Sequence, residues 1–285
     1  MGIKKNNKPQ ILGPYLGEKR PIFWHSKLQR WLLPLALAIL WECAARFALD
    51  EPLLLPPLTR VLGRGWHLLW SGRLLGDLAA SAWRVFLGFG LALMIAIPGG
   101  IALGLYPPLE RASALLLSAL RPLAPPAWIP LAILWFGIGD APAVFIIFVG
   151  TCSSLLVGTL AATKAVEAQW VKTALTLGAN RRQAVRHVIL PSLMPALLTQ
   201  ARIGLGLAWM CVIAAEMVAV RRGVGFFMME ARNLFRTEDV LVGMMAIAIV
   251  GLSTDRLLLG LEHRLCRWRA GLDPARLYAT PEQPR

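Results

Sequence analysis

The sequence lacks the residue constellations on which most enzymes depend. It has no G-x-x-x-x-G-K-[ST] loop, so the usual backbone cradle for nucleotide phosphates is missing. No serine stands in a G-x-S-x-G context. The four histidines, His25, His67, His187 and His263, are isolated and form no H-E-x-x-H or other metal spacing. The four cysteines, Cys43, Cys152, Cys211 and Cys266, show neither metal spacing nor a disulfide framework. Three of them lie in apolar runs and read as small core residues. Acidic residues are also few, 16 against 30 Lys and Arg, for a formal net charge of +14. No catalytic constellation, cofactor set or metal set emerges from the chain's own residues.

Apolar residues dominate instead. The chain is 56% hydrophobic with a mean hydropathy of +0.58, more than an ordinary soluble domain of this length carries. A membrane span needs about 20 mostly apolar residues. Six segments meet or approach that length, at about 28–49, 81–105, 112–137, 141–163, 196–219 and 239–262. Six spans return both termini to one side. That side carries 18 Lys and Arg and the other carries 7, which places both termini and the 164–195 loop in the cytoplasm. This positive-inside bias accounts for the net charge better than a nucleic-acid partner does. The basic stretch before Arg30 is long and no small-residue cleavage site follows the first apolar run, so residues 1–27 read as a cytoplasmic tail rather than a signal peptide.

Four segments carry further signals. Between the first two spans, Leu58, Val61, Leu62, Trp66 and Leu69 recur at helical spacing while Arg60, Arg64 and Arg73 point elsewhere. The pattern predicts an amphipathic helix at the outer interface, capping the bundle or lying on lipid. The third span contains Pro122, Pro125, Pro126 and Pro130, which one continuous helix cannot hold. Broken backbone at membrane depth is buried in protein or lines a cavity. Arg121 opens the break, and a charge there marks either a functional site or a side chain reaching the interface. Pro125, Pro126 and Trp128 belong to the same broken stretch. The fifth span carries small residues that permit close helix approach, and Glu216 near its outer end. That glutamate pairs with an outer arginine or contacts a substrate. In the last span Asp255 and Arg256 read as a local or interhelical ion pair.

The longest polar interruption runs from Lys164 to Pro195. A short helix over Val166 to Leu177 should end at Gly178, because glycine takes the left-handed conformation of a helix stop. A basic helix should follow from an Asn180 N-cap to about Ile189, closed by Leu190-Pro191. By geometry alone this could be an ordinary hairpin connector. Its spacing, however, resembles the cytoplasmic E-A-A loop of binding-protein-dependent ABC importer permeases. That pattern is E-A-A, three residues, G, nine residues, I-x-L-P, and it falls on Lys172-Thr173-Ala174, Gly178 and Val188-Ile189-Leu190-Pro191. Ala174, Gly178, Leu190 and Pro191 match; Lys172 stands in place of Glu and Thr173 in place of Ala.

The likeness extends to LLLPPLTRV, ASAWRVFLGFGLALMIAIPGGIALGL, RPLAPPAWIPLAILWFGIG, GLGLAWMCVIAAEMVA and GVGFFMMEARNLFRTEDVLVGM. Together these are similar to the permease subunits for nitrate, sulfonate, taurine and bicarbonate import, over roughly residues 52–269. The resemblance implies an all-α membrane protein of about six transmembrane helices with the type I, methionine-importer-like fold. It implies a permease domain over 28–269 between cytoplasmic tails at 1–27 and 270–285. A second permease copy, two ABC ATPase subunits, a periplasmic or lipid-anchored binding protein and membrane lipids would be its partners. ATP and Mg would sit on the ATPase subunits and no cofactor on this chain. Lys172, Thr173, Ala174, Leu177, Gly178, Ala179, Leu190 and Pro191 would meet the ATPase, while Arg121, Pro125, Pro126, Trp128 and Glu216 are the candidates for the translocation path. The chain would lie in a bacterial inner membrane as a non-enzymatic transport subunit for a small oxyanion. A stand-alone channel or secondary transporter is the rival reading, and a membrane enzyme a weaker one.

Overall fold

The computed structural model of the chain describes residues 27–48, 55–120 and 122–266. The described residues are almost entirely helical. α1 (Lys27–Cys43) continues as a π-helical turn to Ala48. α2 (Leu58–Trp70) leads through Gly72, at φ 73°, into the 33-residue α3 (Arg73–Leu105). α4 (Pro107–Leu120) and α5 (Ile129–Phe136) flank a 3-10 turn, Pro125–Trp128. α6 (Asp140–Lys164), α7 (Ala168–Thr176), α8 (Arg181–Ala184), α9 (Leu190–Ala219), α10 (Val224–Asn233) and α11 (Thr237–Leu265) complete the order.

Among the described residues four helical stretches are long and apolar enough to cross a membrane: α3, α6, the continuous run Arg181–Ala219, and α11. The α4–α5 pair, bent by 88°, makes a fifth if it counts as one span. The first of the six expected segments falls on α1, whose 17 α-helical residues are short for a span before the π turn extends them. The second expected segment begins eight residues too late, since α3 starts at Arg73, directly after the left-handed Gly72.

The core is the packing of α3, α6 and α9. Ala92 and Ala96 on α3, Ile146, Ile147 and Leu155 on α6, and Ala208, Val212 and Ala215 on α9 form one buried cluster. Small residues set the helix separation: a Cβ added to Gly100 would stand 2.6 Å from Thr159 Cβ and 2.8 Å from the Leu156 carbonyl oxygen. Without a hydrophobic drive between helices in lipid, such close packing does much of the holding. At the far end of the bundle from α7, α2 packs Val61 and Leu68 against Val242 and Ala246 of α11. Leu62, Trp66 and Leu69 of the expected apolar stripe remain largely exposed and line a groove of about 310 Å³ against α11. Arg64 is not directed away from the bundle. It holds Asp239, in the first turn of α11, through two hydrogen bonds of 2.6 and 3.2 Å. The Asp239 carboxylate raises the Arg64 pKa further above its ordinary value, partly opposed by burial.

Candidate functional site

The 164–195 stretch folds into a stapled knob. α7 ends where Gly178 takes φ +89°. The Gly178 N–H bonds to the Leu175 carbonyl at 3.0 Å and the Ala179 N–H to the Ala174 carbonyl at 3.1 Å, the paired bonds of a Schellman stop. Asn180 then caps α8: its Oδ1 accepts from the Gln183 N–H, and the Gln183 side chain accepts from the Asn180 N–H. This capping box fixes the chain direction within two residues of the glycine turn. Val171 and Val185 anchor the base against Ile189, Leu193 and Leu197. The outer surface is left uncovered. No residue of α7 is buried, Lys172 and Thr173 are exposed, and Leu177 is 83% exposed. With Trp170 and Leu175 also exposed, the knob carries apolar surface around its capped turn.

Leu190-Pro191 does not close the unit as expected. Val185–Ile189 forms a π turn in which the Leu190 N–H reaches the Val185 carbonyl, and Pro191 lies in the first turn of α9. The wider π turn takes up the ladder bond that proline cannot make, so the helix runs on to Ala219 as one 39-residue element. Pro195 further along α9 and Pro98 within α3 are likewise carried inside unbroken helices.

At the broken third span, Pro125 and Cys211 both pack on Gly150, with Cys211 Sγ 2.6 Å and Pro125 Cγ 2.8 Å from where a Cβ would stand. A cavity of about 460 Å³ opens beside it, lined by Leu120, Pro122, Pro125, Ser153, Ser154 and Leu207 among others. Trp128 is half-buried, edge-on to Phe145 at 6.4 Å, and Pro126 is exposed. Arg121 lies outside the described residues.

Glu216 is fully buried in a different constellation. Arg84, on α3, donates to its Oε1 at 2.5 Å, to Asp140 Oδ1 at 2.7 Å and to the Arg222 carbonyl at 2.7 Å. The Ser81 hydroxyl and the Gly225 N–H donate to Glu216 Oε2, each at 2.9 Å. Asp77 Oδ1 accepts from the Gly223 N–H, and Ser81 Oγ from the Val224 N–H. The node therefore ties α3, α6, α9 and the start of α10 together. Of the two expectations for Glu216, pairing with an outer arginine or contact with a substrate, the structure shows an ion pair, made with Arg84 of α3 rather than with an outer-loop arginine side chain. Arg84 stood in plain view as a lone charge within the apolar run ASAWRVFLGFG, the signal that marks an intramembrane functional or structural charge. Arg202 was missed in the same way. It grips Asp255 with bonds of 2.9 and 3.1 Å, making the pair interhelical, α9 to α11, and not one with Arg256. The candidate path residues thus divide between the proline break and the Arg84 node.

Long apolar helices, one broken span and an uncovered knob at one end make the described residues a multi-pass membrane bundle. The family model for the binding-protein-dependent transport system inner membrane component matches residues 88–266. The taurine transport system permease protein TauC of Escherichia coli is 35% identical over 261 residues, covering 86% of this chain and 95% of TauC. The bicarbonate transport system permease protein CmpB of Synechococcus elongatus is 30% identical over 263 residues, covering 86% and 92%. A solved structure of the MetNI methionine ABC transporter, in an inward-facing conformation, superimposes with a TM-score of 0.53 at 18% identity, covering 72% of this chain and 98% of that one. The chain belongs to the binding-protein-dependent transport system inner membrane component family and is a multi-pass permease subunit of an ABC importer.

Proposed function

We propose that this permease carries a small oxyanion, of the sulfonate or bicarbonate class, into the cytoplasm under the drive of separate ATPase subunits. The observation that carries the coupling half is the knob: a doubly capped α7–α8 corner with Leu177 uncovered and Gly178 fixed in a left-handed turn. It has the form of a surface a soluble partner grips, and Lys172, Thr173, Ala174, Leu177, Gly178 and Ala179 stand on it. Leu190 and Pro191 begin the helix that leaves it. The substrate half is supported by the names of TauC and CmpB, whose cargoes share compact oxygen-rich anionic groups.

In this reading two permease copies face each other, each with an ATPase subunit on its knob, and ATP and Mg bind to those subunits. A binding protein delivers cargo at the α10 end. The knob, both termini and the flanking tails at 1–27 and 270–285 lie in the cytoplasm around the permease domain at 28–269, a placement that the distribution of positive charge supports. The test is co-purification. Tagged wild-type chain co-expressed with its ATPase should retain it through detergent extraction, whereas Gly178→Val should lose it while inserting normally. A bulky β-branched side chain disturbs the left-handed turn by about 1–2 kcal/mol. Undiminished ATPase retention and uptake by Gly178→Val would remove the knob from the coupling role.

A further inference from the structure

We propose that Phe235, held in a left-handed backbone conformation at the tip between α10 and α11, anchors the substrate-binding protein by entering an apolar pocket with an acidic rim on that protein. The proposal rests on the binding-protein reading above and gives that reading a contact residue on this chain.

The tip repeats a turn that the chain builds elsewhere with glycine. At the end of α10 the Phe235 N–H bonds to the Arg232 carbonyl at 3.1 Å and the Arg236 N–H to the Ala231 carbonyl at 2.9 Å. These are the paired bonds that also end α7, with Phe235 in the place of Gly178. Phe235 has φ 54° and is the only non-glycine residue at positive φ among those described. In that region a Cβ crowds the carbonyl oxygen that follows it, so the conformation is strained for phenylalanine and free for glycine. Packing within the chain does little to offset the strain. Phe235 is 74% exposed and Leu234 beside it 54%. Strain without burial points to a role for the side chain outside its own fold.

The charges around the tip define the partner's chemistry. Arg232 and Arg236 flank the tip, both exposed and neither in an ion pair among the described residues. The neighbouring acids are committed elsewhere, Glu230 to Arg73 and Asp239 to Arg64. A pocket ringed by carboxylates would therefore meet complementary charge. A second copy of this chain would bring the same positive tip, and like charges oppose such a contact. A fluid bilayer accepts a ring from any direction and gives no reason to fix one. A shaped pocket does, because a side chain already held in position loses less freedom on binding.

The experiment titrates the permease–ATPase complex, in nanodiscs of phosphatidylethanolamine and phosphatidylglycerol, with its purified, substrate-loaded binding protein. The readout is the stimulated ATPase rate. Phe235→Gly should keep or raise the thermal midpoint, since glycine accepts the turn, yet need at least about tenfold more binding protein for half-maximal stimulation. Phe235→Ala keeps the strained backbone and loses the ring, so it should show the same weakened docking. If both variants saturate as the wild type does, the anchor is overturned and the binding-protein reading stands. If the wild type is not stimulated at all, that reading fails and the anchor with it. Benzoylphenylalanine at position 235, irradiated in the same nanodiscs, should bond covalently to the binding protein; adducts confined to lipid or to a second permease copy would overturn the proposal. Rising salt should weaken wild-type docking, and Arg232→Gln with Arg236→Gln should flatten that dependence. An unchanged salt dependence in this double variant would overturn the acidic rim.

Discussion

Replacing Arg84 with methionine should be among the most damaging single changes in this chain. The Arg84 side chain is 5% exposed and its partner Glu216 is 0% exposed. The substituted methionine side chain would fill much of the same space but leave Glu216 a buried anion, with only Ser81 and Gly225 donating to it. Stranding one member of a buried pair costs about 3–5 kcal/mol, most of it the desolvation of the charge left behind. For a domain of this size 1 kcal/mol moves the thermal midpoint by about 2–4 °C, so Arg84→Met should lower it by about 6–20 °C. Glu216→Gln is milder. It leaves Arg84 on the Arg222 carbonyl and on Asp140, whose side chain is 69% exposed and reaches water, so the guanidinium is not stranded. Arg84→Met with Glu216→Gln removes both charges and should lose less than the two single losses added, by about 2 kcal/mol of coupling. The assay is the thermal midpoint of the detergent-solubilised permease followed by size-exclusion chromatography. An Arg84→Met midpoint within about 2 °C of wild type, or a double variant whose loss equals the sum, would refute the claim that this pair is a desolvated, mutually dependent node.

Other outcomes follow from the same geometry. Lys172→Glu, on the exposed face of α7, should fold normally and impair uptake less than Gly178→Val, because the solvated side chain has room to move; complete loss of uptake would make the positive charge essential. Gly100→Ala should separate α3 from α6 or force Thr159 aside, costing about 1–3 kcal/mol, read as a lower thermal midpoint with unchanged membrane insertion; a wild-type midpoint would mean the seam is loosely packed.

The parts of this structure that were legible in the sequence are those fixed by local chemistry. Gly178 and Asn180 determine their own backbone, so the stop and the cap could be placed to the residue. The proline break was equally legible, because Pro125 and Pro130 act on the helix in which they sit. What was not legible depends on pairing across the bundle. Glu216 was recognisable as a residue needing a partner, but Arg84 lies 132 residues away, and only the packing of α3 on α9 brings the two together. Arg202 and Asp255 repeat the case at a separation of 53 residues. Pro191 misled for a different reason: a residue-level rule that proline ends a helix overlooks how readily a π turn upstream absorbs the missing donor.

The uninterrupted helix beyond Pro191 changes what the knob can do. Had the chain turned at Leu190-Pro191, motion of α7 and α8 would have been absorbed in a flexible joint at the membrane surface. Instead α8 runs through the π turn into α9, and 39 residues at 1.5 Å each make a rod about 58 Å long. One end of that rod begins beside the Gly178 turn; Glu216, inside the Arg84 node, stands near the other. Ser192 and Thr199 bond back within it, and Gln200 faces the α6 seam part-way along. In the proposed coupling role, a partner that draws the knob sideways would tilt α9 as a body, moving its Gln200 face and pulling on the node that joins α3, α6 and α10. The π turn at 185–189 is the soft element in that path, because its hydrogen bonds are the ones already displaced from the α-helical ladder. In the proposed coupling role, its position between the α7–α8 corner and α9 would let the corner pivot slightly to follow a docking surface while α9 passes the larger displacement to the far end of the bundle.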